Sequence, residues 1–464
     1  MNWLLLANSL LVACASTLLS AILGAAVAVM LVSSHAHVRR IIFALTLAVL
    51  ALPAFLVTNC WIDLLGVNGA LHRWVPLNIF SLAGAVWILA LLLWPIPALG
   101  LFSAWRKLEP AHLEIDPALR GLHLFRFLLL PAAKNALATT AAITFALALN
   151  NFAVPAILQV KVFPAEVWVK FNTNLDARAA LLLSWPLLLA PVALLILLRR
   201  AEVPWPRESA ADIAGALRRQ LGPAAFTFCA SLCALVLVLS LLVPLVQLIA
   251  TTRTWSEFTP ALVAGKSALL NSLLYAASAA ALTLYLGMSL VRVRGLAWLW
   301  ILFLIPGVLL GIGALTAFNR PGLDWFSRSA AIVVAVLVAR YFALAHSLLR
   351  AAHQSLDHDL IDAARLDGAE DFALVRHAVL PQIAPSLAAA AYLVYVLCLW
   401  DVETILLVIP PGGETLAVRV FNLLHYGHNS HVNALCLLLL LLALAPLGLA
   451  AFFRWGVKQA ENKG

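Results

Sequence analysis

Charge is what this sequence has least of. Asp, Glu, Lys and Arg make up 11% of its 464 residues, against 64% hydrophobic ones, and the mean hydropathy is +0.99. A soluble globular domain needs far more polar surface, so water is excluded as the main solvent and a lipid bilayer takes its place. Short alternating apolar segments do not recur, which excludes a membrane β-barrel and leaves an all-α polytopic membrane protein. The six cysteines, Cys14, Cys60, Cys229, Cys233, Cys398 and Cys436, sit in or beside apolar runs. Cys229 and Cys233 share a helix face, yet no His or acidic residue joins them. They read as small buried hydrophobes, and no metal or other cofactor is expected.

What the chain does have is a series of apolar runs near 20 residues, the length an α-helix needs to cross the hydrocarbon core. Eleven such runs lie near residues 4–32, 41–62, 79–104, 131–154, 179–198, 224–250, 267–290, 296–318, 329–349, 382–409 and 432–453. The first lacks a basic segment ahead of it and is long enough to stay in the membrane, so it counts as a span rather than a signal peptide. Lys and Arg collect in cytoplasmic loops. An external N-terminus and a cytoplasmic C-terminus place twenty of the thirty Lys and Arg inside, nine outside and Arg340 within a span. The net charge of +9 is thereby assigned to topology, and no nucleic acid is needed as a partner.

The chain also repeats itself. "NSLLVACASTLLSAILG" from Asn8 is echoed by "NSLLYAASAAALTLYLG" from Asn271, with Gly24 and Gly287 at the same offset. Leu130-Pro131 answers Leu380-Pro381, and Phe171-Asn172 answers Phe421-Asn422. Matched helices are six apart and so cross in the same direction, which makes the halves parallel repeats. The expected division is a first unit of five helices over residues 1–200, a charged cytoplasmic linker over 201–223, and a second unit of six helices over 224–464.

Between two oily runs stands "DAARLDGAEDFALVRHAVLP", residues 362–381, which the topology puts in the cytoplasm. Ile361, Ala364, Gly368, Phe372, Val375 and Val379 recur at spacings of three and four and draw an apolar stripe, as expected where something docks. Gly368 can bend the backbone and Pro381 can open the next span, so the reading is a short helix, a break and another short helix. The pattern Asp362, Ala363, Ala364, Gly368, Ala378, Leu380, Pro381 resembles the EAA loop of binding-protein-dependent ABC transporter permeases of the type I importer fold. Asp362 stands for the usual Glu and Ala378 for a larger aliphatic residue.

The resemblance implies that residues 357–381 are a coupling helix for cytoplasmic ABC ATPase subunits, two in number, with an external or periplasmic solute-binding protein on the other side of a bacterial inner membrane. No G-x-x-x-x-G-K-[ST] stretch occurs, so ATP hydrolysis is expected of the partners and the chain itself is not expected to be an enzyme. The corresponding first-half loop, residues 109–131, is degenerate: Leu130 and Pro131 remain, while Glu114 or Gly121 stands in for other motif members. It is expected to be a weaker docking site. The likeness extends over nearly the whole chain, as two fused units like those of ferric-iron, thiamine and aminoethylphosphonate importers, and is greatest for the ferric-iron group.

Polar groups inside spans are costly and point to a pathway. Asn150 and Asn151 interrupt one post-loop span, Asp401 and Glu403 the other, and Asn151 and Asp401 are one repeat apart, so all four are expected to line the translocation path. Arg340 is expected to snorkel or to pair with a neighbouring helix. His425, His428 and His431, in an external polar segment over 410–431, have a spacing that suits a metal but lack a clear carboxylate, so a contact surface for the binding protein is the expected role. A rival reading is an ion-coupled secondary transporter with Asp401 and Glu403 as the coupling site; a second rival is a non-transporting membrane scaffold.

Overall fold

The computed structural model describes residues 3–67, 69–75, 78–108, 119–174, 179, 181–182, 184–198, 213–293, 295–425 and 431–461, which form helices and turns without a strand among them. The chain divides into two compact units, Met1–Glu257 with Leu423–Asn433, and Phe258–Asn422 with Ala434–Gly464.

The first unit is built around α1 (Trp3–Ser33). Two bent pairs follow: α2 (Ala36–Leu50) and α3 (Ala54–Leu65), which turn by 88° at Pro53, and α4 (Leu82–Leu93) and α5 (Pro95–Trp105), which turn by 40°. Each bend falls at a proline, which cannot donate to the ladder; Pro53 is itself extended, whereas Trp94 before Pro95 stays helical and the second bend is the smaller. Then come α6 (Lys134–Asn150), α7 (Ala153–Ile157), α8 (Phe163–Asn174), α9 (Trp185–Leu198), α10 (Ala214–Leu237) and α11 (Val243–Ala250). The charged junction is helical from Ala214, and α10 kinks at Gly222 (φ 73°) before Pro223. This leading helix of the second half packs on α1 within the first unit.

The second unit centres on α12 (Lys266–Ser289), then α13 (Trp300–Leu304), α14 (Gly307–Phe318), α15 (Ala330–Gln354), α16 (His358–Leu366), α17 (Leu380–Trp400), α18 (Leu416–His425) and α19 (Val432–Glu461). Helices α12, α15 and α17 pack on one another. By length and apolarity seven helices qualify as spans, and nine if each bent pair is one. The other two expected runs appear as the 14-residue α9 and as α13–α14, broken where Pro306 follows Ile305.

The repeat is visible in what α1 and α12 bury. Ser9, Ala13, Ser16, Ser20 and Gly24 are buried on one, and Ser272, Ala276, Ala279, Thr283 and Gly287 on the other. In lipid no hydrophobic gain drives helices together, so small residues that allow close backbone approach do. A Cβ at Gly24 would come within 2.8 Å of the Trp94 carbonyl oxygen, and one at Gly287 within 2.9 Å of a Leu349 methyl.

Two expectations need correction. The run over 382–409 stops as a helix at Trp400. The segment over 410–431 opens with the expected turn, closed by Gly413 N–H donating to Pro410 O at 2.9 Å. It then forms α18, whose Leu416, Ala417, Val420 and Phe421 are fully buried, so it is not a polar surface loop.

Candidate functional site

The 357–381 loop is assembled from caps. The Asp357 carboxylate accepts the Asp359 N–H at 3.0 Å and starts α16. At the other end Gly368 takes φ +81°, a left-handed conformation that costs a residue with a Cβ and suits glycine. Gly368 N–H donates to Arg365 O and Ala369 N–H to Ala364 O, each at 3.0 Å, which is the Schellman pattern that ends a helix on its own carbonyls. A widened π-turn over Val375–Val379 then leads through Leu380 and Pro381 into α17. The same π-turn, Phe125–Leu129, precedes Leu130 and Pro131 in the first unit. Such turns accommodate a disturbed helical ladder and are frequent at functional sites.

The apolar stripe divides. Ile361 and Leu374 join Ala352, Leu356 and Ile383 in a buried cluster, with Ala364, Ala378 and Val379 against it. Phe372 and Val375 face out with Leu360, Leu366 and Leu380, and Leu366 is 89% and Phe372 76% exposed. Each face draws on both helical pieces: Gly368 breaks the helical period between them, so spacings of three and four counted across it do not define one face. Asp362 and Ala363 are exposed, and Asp362 pairs with Arg365 at 3.3 Å on the surface, where an ion pair contributes little.

In the first unit Glu114 lies outside the described residues. Gly121 again has a left-handed φ, +54°, with Leu221 of α10 beside it. The buried Trp105 indole donates to Leu129 O at 2.8 Å and holds the π-turn. Phe127, 59% exposed, is flanked by the stacked ring of His123 and the guanidinium of Arg126. Leu130 and Pro131 are exposed, as Leu380 and Pro381 are.

Beyond each loop the span that follows breaks at the same place. Asn151 has φ −66°, ψ 115° and its Oδ1 accepts Val154 N–H at 3.0 Å. Asp401 has φ −67°, ψ 120° and its Oδ1 accepts Thr404 N–H at 2.8 Å. Asn150 is buried. Only the second break is charged: Arg340 of α15 lies 3.4 Å from both Asp401 and Glu403 and donates to the Thr404 hydroxyl. The Tyr341 and Thr404 hydroxyls both donate to Asp401 Oδ2 at 2.8 Å. Arg340 is thus paired with a neighbouring segment rather than snorkelling. A Cβ on Gly307, where α14 begins, would meet Arg340 and Glu403.

Sequence reasoning saw the repeated "NSLL" and missed its task. Ser9 Oγ accepts Phe163 N–H and Ser272 Oγ accepts Leu416 N–H, both at 2.8 Å, so each serine satisfies the first amide of a buried helix. Asn8 Nδ2 donates to Lys161 O, and Asn271 Nδ2 to Gly412 O and Glu414 O. His431 Nδ1 lies 3.1 Å from Glu257, and His425 packs edge-on to Trp168. His428 lies outside the described residues, and among those described no three His, Cys, Asp or Glu side chains gather.

Residues 274–454 match the family described as "Binding-protein-dependent transport system inner membrane component". The chain is similar to the spermidine/putrescine transport system permease protein PotC of Escherichia coli (strain K12), 28% identical over 152 residues, 32% of this chain and 54% of that protein. It is also similar to the putative 2-aminoethylphosphonate transport system permease protein PhnV of Salmonella typhimurium (strain LT2), 27% identical over 194 residues, 41% of this chain and 71% of that protein. The chain therefore spans about half the length of the polyamine permease it matches. The match to binding-protein-dependent transport system inner membrane components thus rests on residues 274–454, which hold the capped loop, its π-turn and the packed apolar helices α12, α15 and α17.

Proposed function

We propose that the chain is the multi-pass permease of an ABC importer, built of two repeated units and giving solute its path across the membrane. The observation that carries this reading is the solvent-facing set Leu366, Phe372 and Val375 around the Schellman turn at Gly368. A capped, rigid element with unpaired aromatic and aliphatic side chains is what a groove on a partner recognises. The partners are two cytoplasmic ATPase subunits, one under residues 357–381 and one, held less tightly, under Gly121, Phe127, Leu130 and Pro131. ATP hydrolysis belongs to them, and a solute-binding protein delivers cargo from outside, where the N-terminus lies.

Asn150, Asn151, Asp401 and Glu403 mark the two breaks, and we assign them to the translocation path. The pairing of both carboxylates with Arg340 weighs against an ion-coupled transporter, which needs a carboxylate free to exchange its ion. Ferric iron or thiamine was the cargo expected from sequence resemblance. The two relatives instead bear names for polyamines and for an aminophosphonate, so an organic solute carrying an amine is the cargo we favour.

The test is reconstitution of the chain in vesicles with the ATPase subunits encoded in its own genome. Uptake that requires ATP and is lost with Gly368→Val, while the variant still inserts, supports the reading. Uptake that proceeds without nucleotide and is indifferent to Gly368 overturns it.

A further inference from the structure

Entirely within the first unit, an open cleft of about 750 Å³ lies where α3 and α11 end. That volume suits a small molecule, within the roughly 300–1,000 Å³ common for ligand sites. Its polar lining is specific. Asn59, 3% exposed, donates through Nδ2 to Asn433 Oδ1 at 2.7 Å. The Asn59 Oδ1 is left buried with no donor, a cost of about 1–3 kcal/mol unless something supplies one. Above this amide pair Asp63 accepts from Gln247 Nε2 at 2.7 Å through one carboxylate oxygen. Arg253, at the start of the segment after α11, completes the lining and is close enough to act electrostatically on Asp63.

The cleft thus offers acceptors, Asn59 Oδ1 and the Asp63 carboxylate, and one cation, Arg253, with no net charge between the two ionic groups. An ammonium group satisfies the acceptors, and an anionic group satisfies the guanidinium. A cation with no anionic group would leave Arg253 facing like charge.

We propose that this cleft is an entry site for a small zwitterion, a solute with an amine at one end and a phosphonate or carboxylate at the other. The proposal rests on the importer reading for its place outside the membrane, since residue 63 and residues 247–253 follow outward-running spans in that topology. It adds what that reading lacks, a group in the permease itself that selects among amines.

The test is equilibrium binding to the purified full-length chain in lipid nanodiscs, with four probes: 2-aminoethylphosphonate, β-alanine, putrescine and ethylphosphonate. The two zwitterions are expected to bind at least about tenfold more tightly than putrescine or ethylphosphonate, the loss that follows one missing charge-assisted bond. Asp63→Asn and Arg253→Gln, both at exposed positions, are each expected to weaken zwitterion binding about tenfold. Asp63→Asn should narrow the gap between 2-aminoethylphosphonate and ethylphosphonate, and Arg253→Gln the gap between β-alanine and putrescine. Putrescine binding as tightly as the zwitterions, no binding of either zwitterion, or insensitivity to both substitutions overturns the proposal. Assembly with the ATPase subunits, measured on the same preparations, reports separately on the importer reading: assembly without zwitterion binding rejects the entry site alone.

Discussion

The two units share a skeleton and differ in how it is held. Both pin a buried helix to the serine of "NSLL", both run a π-turn into Leu-Pro, and both break the next span with the same backbone angles at Asn151 and Asp401. At the break the first unit uses a neutral amide, the second a buried ionic cluster. Directly ahead of each π-turn stands a four-residue helix, Gly121–Leu124 in the first unit and Asp371–Leu374 in the second. Duplication has preserved hydrogen bonds to backbone and let side-chain chemistry diverge. The backbone needs its partners in lipid whatever the unit does.

The largest expected effect tests the charged break. Arg340→Met leaves Asp401 and Glu403 buried without their cation and is expected to cost about 3–5 kcal/mol, read as a fall in Tm in detergent. Adding Asp401→Asn and Glu403→Gln should recover most of it by making the second break resemble the first; no recovery would mean the cluster does more than neutralise itself.

Next comes the loop comparison. Phe372→Ala is expected to weaken ATPase assembly by about 2 kcal/mol, as loss of an aromatic anchor does, and Phe127→Ala by about half as much. Equal losses in a pull-down titration would erase the distinction between the loops. Gly368→Val forces a β-branched residue into a left-handed turn at about 1–2 kcal/mol, and ATP-driven uptake should fall at least about tenfold. Gly121→Val should reduce it less, as expected of the weaker docking loop.

The clamps should behave alike. Ser9→Ala and Ser272→Ala each strand a buried N–H and are expected to lower stability by about 1–2 kcal/mol. A difference between them would be a real asymmetry of the repeats. Smallest of all, Asp362→Asn should change stability by no more than about 0.5 kcal/mol, since its pair with Arg365 is exposed.

The membrane class, most spans, the duplication and the second loop were legible in the residues, because apolar run length, small-residue spacing and the Gly368 to Pro381 interval each report a local constraint. What escaped was set by distant partners. Nothing near Asp401 in sequence announces Arg340, 61 positions earlier, and nothing near Ser9 announces Phe163. The helix at Leu416 was hidden because polar residues flank an apolar stretch too short to span. The stripe on the loop reads as one face because Gly368 looks like any other step in a helical period, whereas its positive φ ends one helix and the period does not carry across it. The entry cleft draws Asn59, Asp63, Gln247, Arg253 and Asn433 from three remote stretches, and periodicity carries no trace of that.

The serine clamps also set a schedule for assembly. Ser9 waits for the amide of a residue 154 positions later, and Ser272 for one 144 positions later. At ribosomal rates of about 5–20 residues per second, α1 stands with that hydroxyl uncommitted for roughly 8 to 30 seconds. Neither opening helix can be stitched before about 150 further residues have been made, and a chain truncated short of them would leave its serine without that amide.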